Sequence, residues 1–255
     1  MTRPDPAREA FFVGFLAPPR ALARFLGVVA LALVALFAGL GWLVAATQGD
    51  PGDGAFRFDL GRQTVTGVLE ARPYPMLHVL ESERFPAGHT LLLSGQGKRG
   101  VQARAEALDG QVVTASGVLL RRGALDMLQL RGGTNGLAAA EGDGARPEPV
   151  PLGRWRLTGE ICDGKCYAGA MRPGTGLAHK ACANLCLIGG VPPVLVTTAE
   201  IAGSRFLMLA DAEGGPVTDQ VLDRTALLIE AEGAVERRGD LLVFRLDPAT
   251  LRAVP

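Results

Sequence analysis

Residues 117–130 read GVLLRRGALDMLQL, and residues 233–246 read GAVERRGDLLVFRL. Aligned without a gap, the two segments share Gly, Arg, Arg, Gly and two Leu at an offset of 116 residues. The same offset carries Leu91-Leu92-Leu93 onto Leu207-Met208-Leu209. Upstream, Val65-Thr66-Gly67-Val68-Leu69 matches the pattern of Leu157-Thr158-Gly159-Glu160-Ile161, but at an offset of 92. Self-similarity at a fixed spacing means that one supersecondary unit has been built twice. The second copy therefore holds 24 extra residues between its first strand and the strand near 207. All four Cys and one of the three His lie in that interval.

Each copy is rich in strand patterns. Val112 to Leu119 and Ala226 to Gly233 are runs of β-type residues that lead to a Gly, then to a polar Arg-Arg-Gly turn and an alternating strand. A Gly inside such a run marks a sharp bend or bulge at a barrel corner. Strand, excursion, strand–Gly–strand, turn, strand in about 80–100 residues is the order of a small five-stranded OB-type barrel. The expected fold is mainly β: one N-terminal transmembrane helix, then two small OB-like β-barrels, the second with a short helical Cys/His insertion. The expected boundaries are a cytoplasmic segment at 1–24, a span at 25–46 and a stalk at 47–55. Barrel 1 follows at 56–137, a linker rich in Gly, Pro and charge at 138–151, and barrel 2 at 152–255 with the insertion at about 162–193.

The span runs from Phe25 to Ala46 without a charged residue. At 1.5 Å per residue it just crosses a hydrocarbon layer of about 30 Å. Arg3, Arg8, Arg20 and Arg24 precede it, whereas Asp50, Asp53 and Asp59 follow with only Arg57 and Arg62. The positive-inside rule then places the N-terminus in the cytoplasm and residues 47–255 outside it, on the periplasmic side of a bacterial inner membrane. Val44-Ala45-Ala46 would serve as a signal-cleavage site, but the apolar core is longer than the 7–15 residues usual for a signal. Trp42 suits an interfacial anchor. Phe11, Phe12, Phe15 and Leu16 suit a short amphipathic piece at the inner interface or against a partner helix.

The inserted segment reads GEICDGKCYAGAMRPGTGLAHKACANLCLIGGVPP from Gly159 to Pro193. Leu177 to Leu187 reads as a short helix, stopped by Gly189-Gly190 and Pro192-Pro193. On it His179, Cys182 and Cys186 fall at i, i+3 and i+7, on one face. Cys162 and Cys166 flank Asp163-Gly164-Lys165, where Asp-Gly signals a tight turn. Thiolate and imidazole suit zinc, copper or an iron–sulfur cluster. The metal candidates are Cys166, His179, Cys182 and Cys186, with Cys162 as a replacement.

Two other chemistries use the same residues. An oxidising compartment favours two disulfides, with Cys182 and Cys186 each pairing across to Cys162 or Cys166. Thiol exchange is the third, with Lys165 or His179 lowering the pKa of a neighbouring thiol, although no C-x-x-C motif is present.

The string Lys165-Cys166, Gly169, Met171, Pro173-Gly174, His179, Cys182, Cys186, Gly189-Gly190, Pro192-Pro193 resembles a segment of uncharacterised bacterial membrane-anchored proteins. The resemblance covers about 30 residues and brings no activity with it. A barrel on a membrane anchor also resembles, in layout, the haem-chaperone proteins of cytochrome c maturation. Their His–Tyr haem-attachment motif is not evident here, so that function is not carried over.

The 26 Lys and Arg balance the 26 Asp and Glu. Without a basic surplus the chain is not expected to bind nucleic acid. No Ser–His–Asp order, paired-carboxylate motif or Walker-type loop stands out. His78 and His89 read as surface or loop residues, and Gly95-Gln96-Gly97 before Lys98-Arg99 reads as a turn. Arg121-Arg122 and Arg237-Arg238, at equivalent hairpin tips, read as solvated turns or as paired contacts to a partner or to lipid headgroups. The expected role is non-catalytic: an accessory or assembly subunit of a membrane-bound redox complex, contacting other membrane or periplasmic redox proteins. The alternatives are a metal or electron carrier and a thiol–disulfide oxidoreductase.

Overall fold

A computed structural model describes residues 19–47, 52 and 54–254. Arg3, Arg8, the Phe11–Leu16 piece and most of the stalk lie outside the described residues. Helix α1 (Arg20–Thr47) is continuous over 28 residues, or about 42 Å. It takes in Arg20 and Arg24 ahead of the apolar run. Phe25, Leu31, Phe37 and Trp42, on different sides of the helix, are all more than half exposed. A helix apolar all round has no face to give to water, and this one is long and apolar enough to cross a membrane. It forms one unit of the chain; the strands form the other.

The strand unit contains two closed five-stranded barrels. Barrel 1 is built from β2 (Arg62–Glu70), β3 (Met76–Ser82), β4 (Thr90–Ser94), β5 (Val112–Arg122) and β6 (Leu125–Leu130). Its order around the barrel is β5-β2-β3-β4-β6, closed by β6 on β5, with β4 and β6 parallel. The short helix α2 (Gln102–Glu106) bridges β4 and β5, while β1 (Ala55–Phe56) and β7 (Leu137–Ala139) add to β5. Barrel 2 repeats the path with β8 (Val150–Asp163), β9 (Pro193–Ile201), β10 (Ser204–Ala210), β11 (Leu228–Arg238) and β12 (Leu241–Leu246). Its order is β11-β8-β9-β10-β12, closed by β12 on β11, with β10 and β12 parallel. Helix α4 (Thr218–Val221) takes the place of α2, and β13 (Arg252–Ala253) adds to β11. This is the OB path, followed twice.

The repeated glycines explain why the two halves can be superimposed in sequence. A Cβ on Gly117 would lie 2.1 Å from the Gln129 carbonyl oxygen, and one on Gly233 would lie 2.2 Å from that of Arg245. Gly67 and Gly159 meet the carbonyls of His78 and Val196 in the same way, at 2.3 and 2.4 Å. At these four points one strand crosses another too closely for any side chain.

Three large apolar clusters hold the strand unit, with a small fourth at Cys166, Cys186 and Val191. One fills barrel 1 around Leu69, Leu77 and Leu128; another fills barrel 2 around Ile161, Leu207 and Phe244. The third lies between the barrels and draws on repeat-equivalent positions from both: Leu92 with Met208, Leu125 with Leu241, and Met127 with Val243. The same outer face of each barrel therefore covers the other, as in a two-fold interface made within one chain. Each fully buried Leu or Met contributes roughly 1.5–3 kcal/mol to that contact.

The polar ends of this seam correct two expectations. Arg122 and Arg238 are not solvated turn residues. Arg238 Nη1 donates to Glu70 Oε1 of barrel 1 at 2.5 Å, and its Nη2 lies 2.6 Å from Glu236 Oε1. Arg122 is buried with its guanidinium 4.3 Å from the Tyr167 ring centre in barrel 2. His78 is not a surface residue either: it is buried on β3, with Nε2 2.8 Å from Glu70 Oε2. His89 lies in a loop, but its ring is held between Asp126 of barrel 1 and Asp240 of barrel 2 at 3.1 and 2.6 Å.

Candidate functional site

The insertion occupies the connection between β8 and β9. Its helix α3 (Lys180–Ile188) follows a single 3-10 turn at Leu177–His179, close to the expected Leu177–Leu187. Gly189 and Gly190 stop it, and Gly190 takes the left-handed φ of 89° that favours glycine. Lys180 Nζ donates to the Asp223 carbonyl and Asn184 Nδ2 to that of Leu222, which pins α3 to barrel 2. Glu160 Oε1 accepts the Gly176 amide at 2.5 Å and so fixes the loop that leads into α3.

Asp163-Gly164-Lys165 does not form the expected tight turn. The chain winds from β8 into a helical turn that continues as a π-type turn over Cys166–Ala170. Asp163 caps this winding: its Oδ1 accepts the Cys166 amide at 2.8 Å. That interaction aims the Cys166 side chain at the inner face of α3.

Four of the five expected ligand residues fall in two overlapping groups that share Cys166. The ligand atoms of Cys166, His179 and Cys182 all lie within 4.8 Å of one another, as do those of Asp163, Cys166 and Cys186. Cys166, Cys186 and His179 are buried, and Cys182 is half-buried. Cys162 does not join them. Its side chain belongs to the apolar cluster between the barrels, with Sγ 3.5 Å from Glu160 Oε1. Burial pushes its thiol pKa well up, and Glu160 adds to the effect.

All four thiols are free. Cys166 Sγ and Cys186 Sγ stand 3.9 Å apart, far beyond an S–S bond of about 2.05 Å. The hydrogen bond between them holds Cys186 below the usual thiol range, with Lys98 assisting, while the same contact and burial push Cys166 up.

Asp163 and Lys98 take roles in the site that were not read from the sequence, and Lys165 takes a different one from the thiol-activating role expected of it. Asp163 Oδ2 meets His179 Nε2 at 3.1 Å, in a fully buried position. Lys98 reaches in from barrel 1: its Nζ sits against Cys182 Sγ and 4.0 Å from Cys186 Sγ. Lys165 does not donate to a thiol but to the carbonyls of Gly95 and Gly97, at 2.6 and 2.7 Å. The loop read as a plain turn at Gly95–Lys98 is thus the wall that barrel 1 supplies. The signal for it was the Gly-Gln-Gly-Lys string itself, but nothing local linked that string to cysteines some 85 residues away.

Glycine makes the close approach possible. A Cβ on Gly189 would lie 1.9 Å from the Lys98 carbonyl oxygen, and one on Gly100 would lie 2.0 Å from that of Gly190. Gly100 N donates to Gly189 O at 2.7 Å. On its outer side α3 presents Leu185 and Ile188, both more than half exposed.

Comparisons with protein-family models, curated proteins and solved structures return no match for this chain. Fold and site together define a chain with one membrane-length helix and two OB-like barrels, carrying a buried thiol–imidazole cluster at the barrel seam. That cluster is compatible with metal binding.

Proposed function

We propose that this protein is a single-pass, membrane-tethered accessory or assembly subunit of a membrane-bound redox complex, with a metal-binding Cys/His insert as its distinctive element. The observation that carries this reading is a pair of overlapping groups that share Cys166, one with His179 and Cys182 and one with Asp163 and Cys186, in which every thiol is free. Buried free thiols with an imidazole and a carboxylate behind it are what a soft or borderline metal ion requires. Four protein ligands leave no open position for a substrate, which favours a structural metal over a catalytic one. Arg20 and Arg24 at the start of α1 support a cytoplasmic N-terminus and a periplasmic strand unit.

A second reading, a metal or electron carrier, draws on the half-buried state of Cys182, the one ligand with access from outside. The test is to purify the full chain anaerobically in mild detergent, count free thiols and measure metal, and identify what co-purifies from native membranes. The accessory reading expects about one tightly held metal per chain and a membrane redox complex in the eluate. Recovery of the chain alone after cross-linking in membranes would sink the assembly role. Rapid loss of the metal to an apo-acceptor protein would favour the carrier.

A further inference from the structure

We propose that Cys166, Cys182, Cys186 and the Nδ1 atom of His179 are the four ligands of a single zinc-class divalent ion, with Asp163 and Lys98 as outer groups that orient and neutralise it. This rests on the metal-binding reading above and goes further by fixing the ligand set, the metal class and the place of the centre between the barrels. A tetrahedral ion with metal–sulfur bonds of about 2.3 Å sets its thiolates about 3.8 Å apart. Cys166 and Cys186 are already separated by 3.9 Å. The ligand atoms of Cys166, His179 and Cys182 fall within 4.8 Å of one another and Cys186 stands beside Cys166, so Cys166 is the point at which one ion gathers the four. The thiolates of an iron–sulfur cluster are divided among several irons and spread over a wider space.

Asp163 is excluded as a ligand by what it already does. One of its oxygens takes the Cys166 amide and the other takes His179 Nε2. A carboxylate only accepts hydrogen bonds, so Nε2 carries the proton and Nδ1 keeps the lone pair. A carboxylate behind the distal nitrogen of a histidine is the arrangement that fixes the ring of a metal ligand. Cys162 is excluded by direction, since it faces the apolar seam. Three thiolates around a divalent ion leave one negative charge, and the Lys98 ammonium lies against Cys182 to offset it. Lys98 arrives from barrel 1, so the ion's surroundings are complete only when the barrels are docked.

The experiment uses the full chain in detergent, loaded with zinc or with cobalt(II). Zinc-edge X-ray absorption on the wild type is expected to give three sulfurs and one nitrogen. The cobalt form is expected to show intense tetrahedral bands and thiolate charge transfer. Cys162→Ser should keep the metal and the spectrum, whereas His179→Ala and Cys186→Ser should lose the tetrahedral spectrum. Asp163→Asn should retain one ion with affinity weakened about 10–100-fold. Lys98→Met should keep one ion but shift the charge-transfer band, and Lys98→Arg should restore it. The ligand assignment is overturned if Cys162→Ser loses the ion, if the absorption shell contains four sulfurs, or if His179→Ala leaves the cobalt spectrum unchanged. A wild type that takes up neither zinc nor cobalt would overturn the metal-binding reading itself.

Discussion

Barrel 1 joins its first two strands with residues 71–75, whereas barrel 2 uses residues 164–192 for the same connection. The strand order corresponds, down to the parallel pair in each barrel, the antiparallel pair that closes it and the glycines where strands cross. Lengthening a surface connection costs little, because closure entropy grows only with the logarithm of loop length. A duplicated barrel can therefore take on chemistry at one connection while its core is left alone, and the site says more about function than the fold does. The comparison also explains Cys162. The offset of 92 places it on Glu70; Glu70 bonds Arg238 of the opposite hairpin, and the equivalent Arg122 lies near enough to Cys162 to favour its thiolate form. Cys162 belongs to the duplicated seam; the other three cysteines belong to the insertion.

That equivalence can be broken most strongly at the arginines. Arg238 and its partners Glu70 and Glu236 are each about a tenth exposed at the side chain. Arg238→Ala removes the cation that bridges two buried carboxylates, leaving Glu70 with His78 and Glu236 with the more distant Arg245, and is expected to cost about 3–5 kcal/mol in urea unfolding. Arg122→Ala removes the stacking on Tyr167 and a long hydrogen bond to the Pro173 carbonyl and should cost about 1–2 kcal/mol. Equal losses at the two positions would mean that the seam is symmetric in energy as well as in shape.

The close contact between insertion and barrel 1 is tested by Gly189→Ala, which forces a methyl into the Lys98 carbonyl. A loss of about 1–3 kcal/mol is expected. Gly132→Ala, with nothing within 4 Å of the new methyl, should change thermal stability by less than about 0.5 kcal/mol. If the two variants melt together, the insertion does not bear on barrel 1.

The smallest effect depends on pH. Burial alone would lower the pKa of His89, but its hydrogen bonds to Asp126 and Asp240 raise it to about 9. A histidine whose folded pKa lies above its unfolded value of about 6.5 stabilises the fold fully below pH 6.5. That contribution is lost as pH rises through 9. The melting temperature of the wild type should exceed that of His89→Gln at pH 6, and the gap should close by pH 10. A gap that persists at pH 10 would assign the difference to packing against Phe85 rather than to charge.

Much of this was legible before any coordinates. The offset of 116 located β5 with β6 and β11 with β12, and the change to 92 announced 24 additional residues in the second copy, which is the length difference between the two connections. The i, i+3, i+7 spacing of His179, Cys182 and Cys186 fixed one face of α3, because helical periodicity is a local property. What could not be read was every partner from a distant part of the chain. Lys98 looked like a turn residue, His78 like a surface residue and Arg238 like a solvated tip, since each depends on the docking of one barrel against the other. Asp163 was read as half of a turn signal, because its role is set by which atoms its two oxygens face.

By itself the sequence determined a membrane-length helix, two copies of a five-stranded barrel, and the one connection where the copies differ. Repetition, apolar run length and local spacing are written in the order of residues and need no folding to be seen. Only the tertiary structure decided which side chains gather around Cys166, which cysteine turns away, and that barrel 1 supplies a lysine to a site carried by barrel 2. Those outcomes depend on side-chain direction and on the packing of two outer faces, and both come into being only when residues far apart in the chain are brought to within a few ångströms.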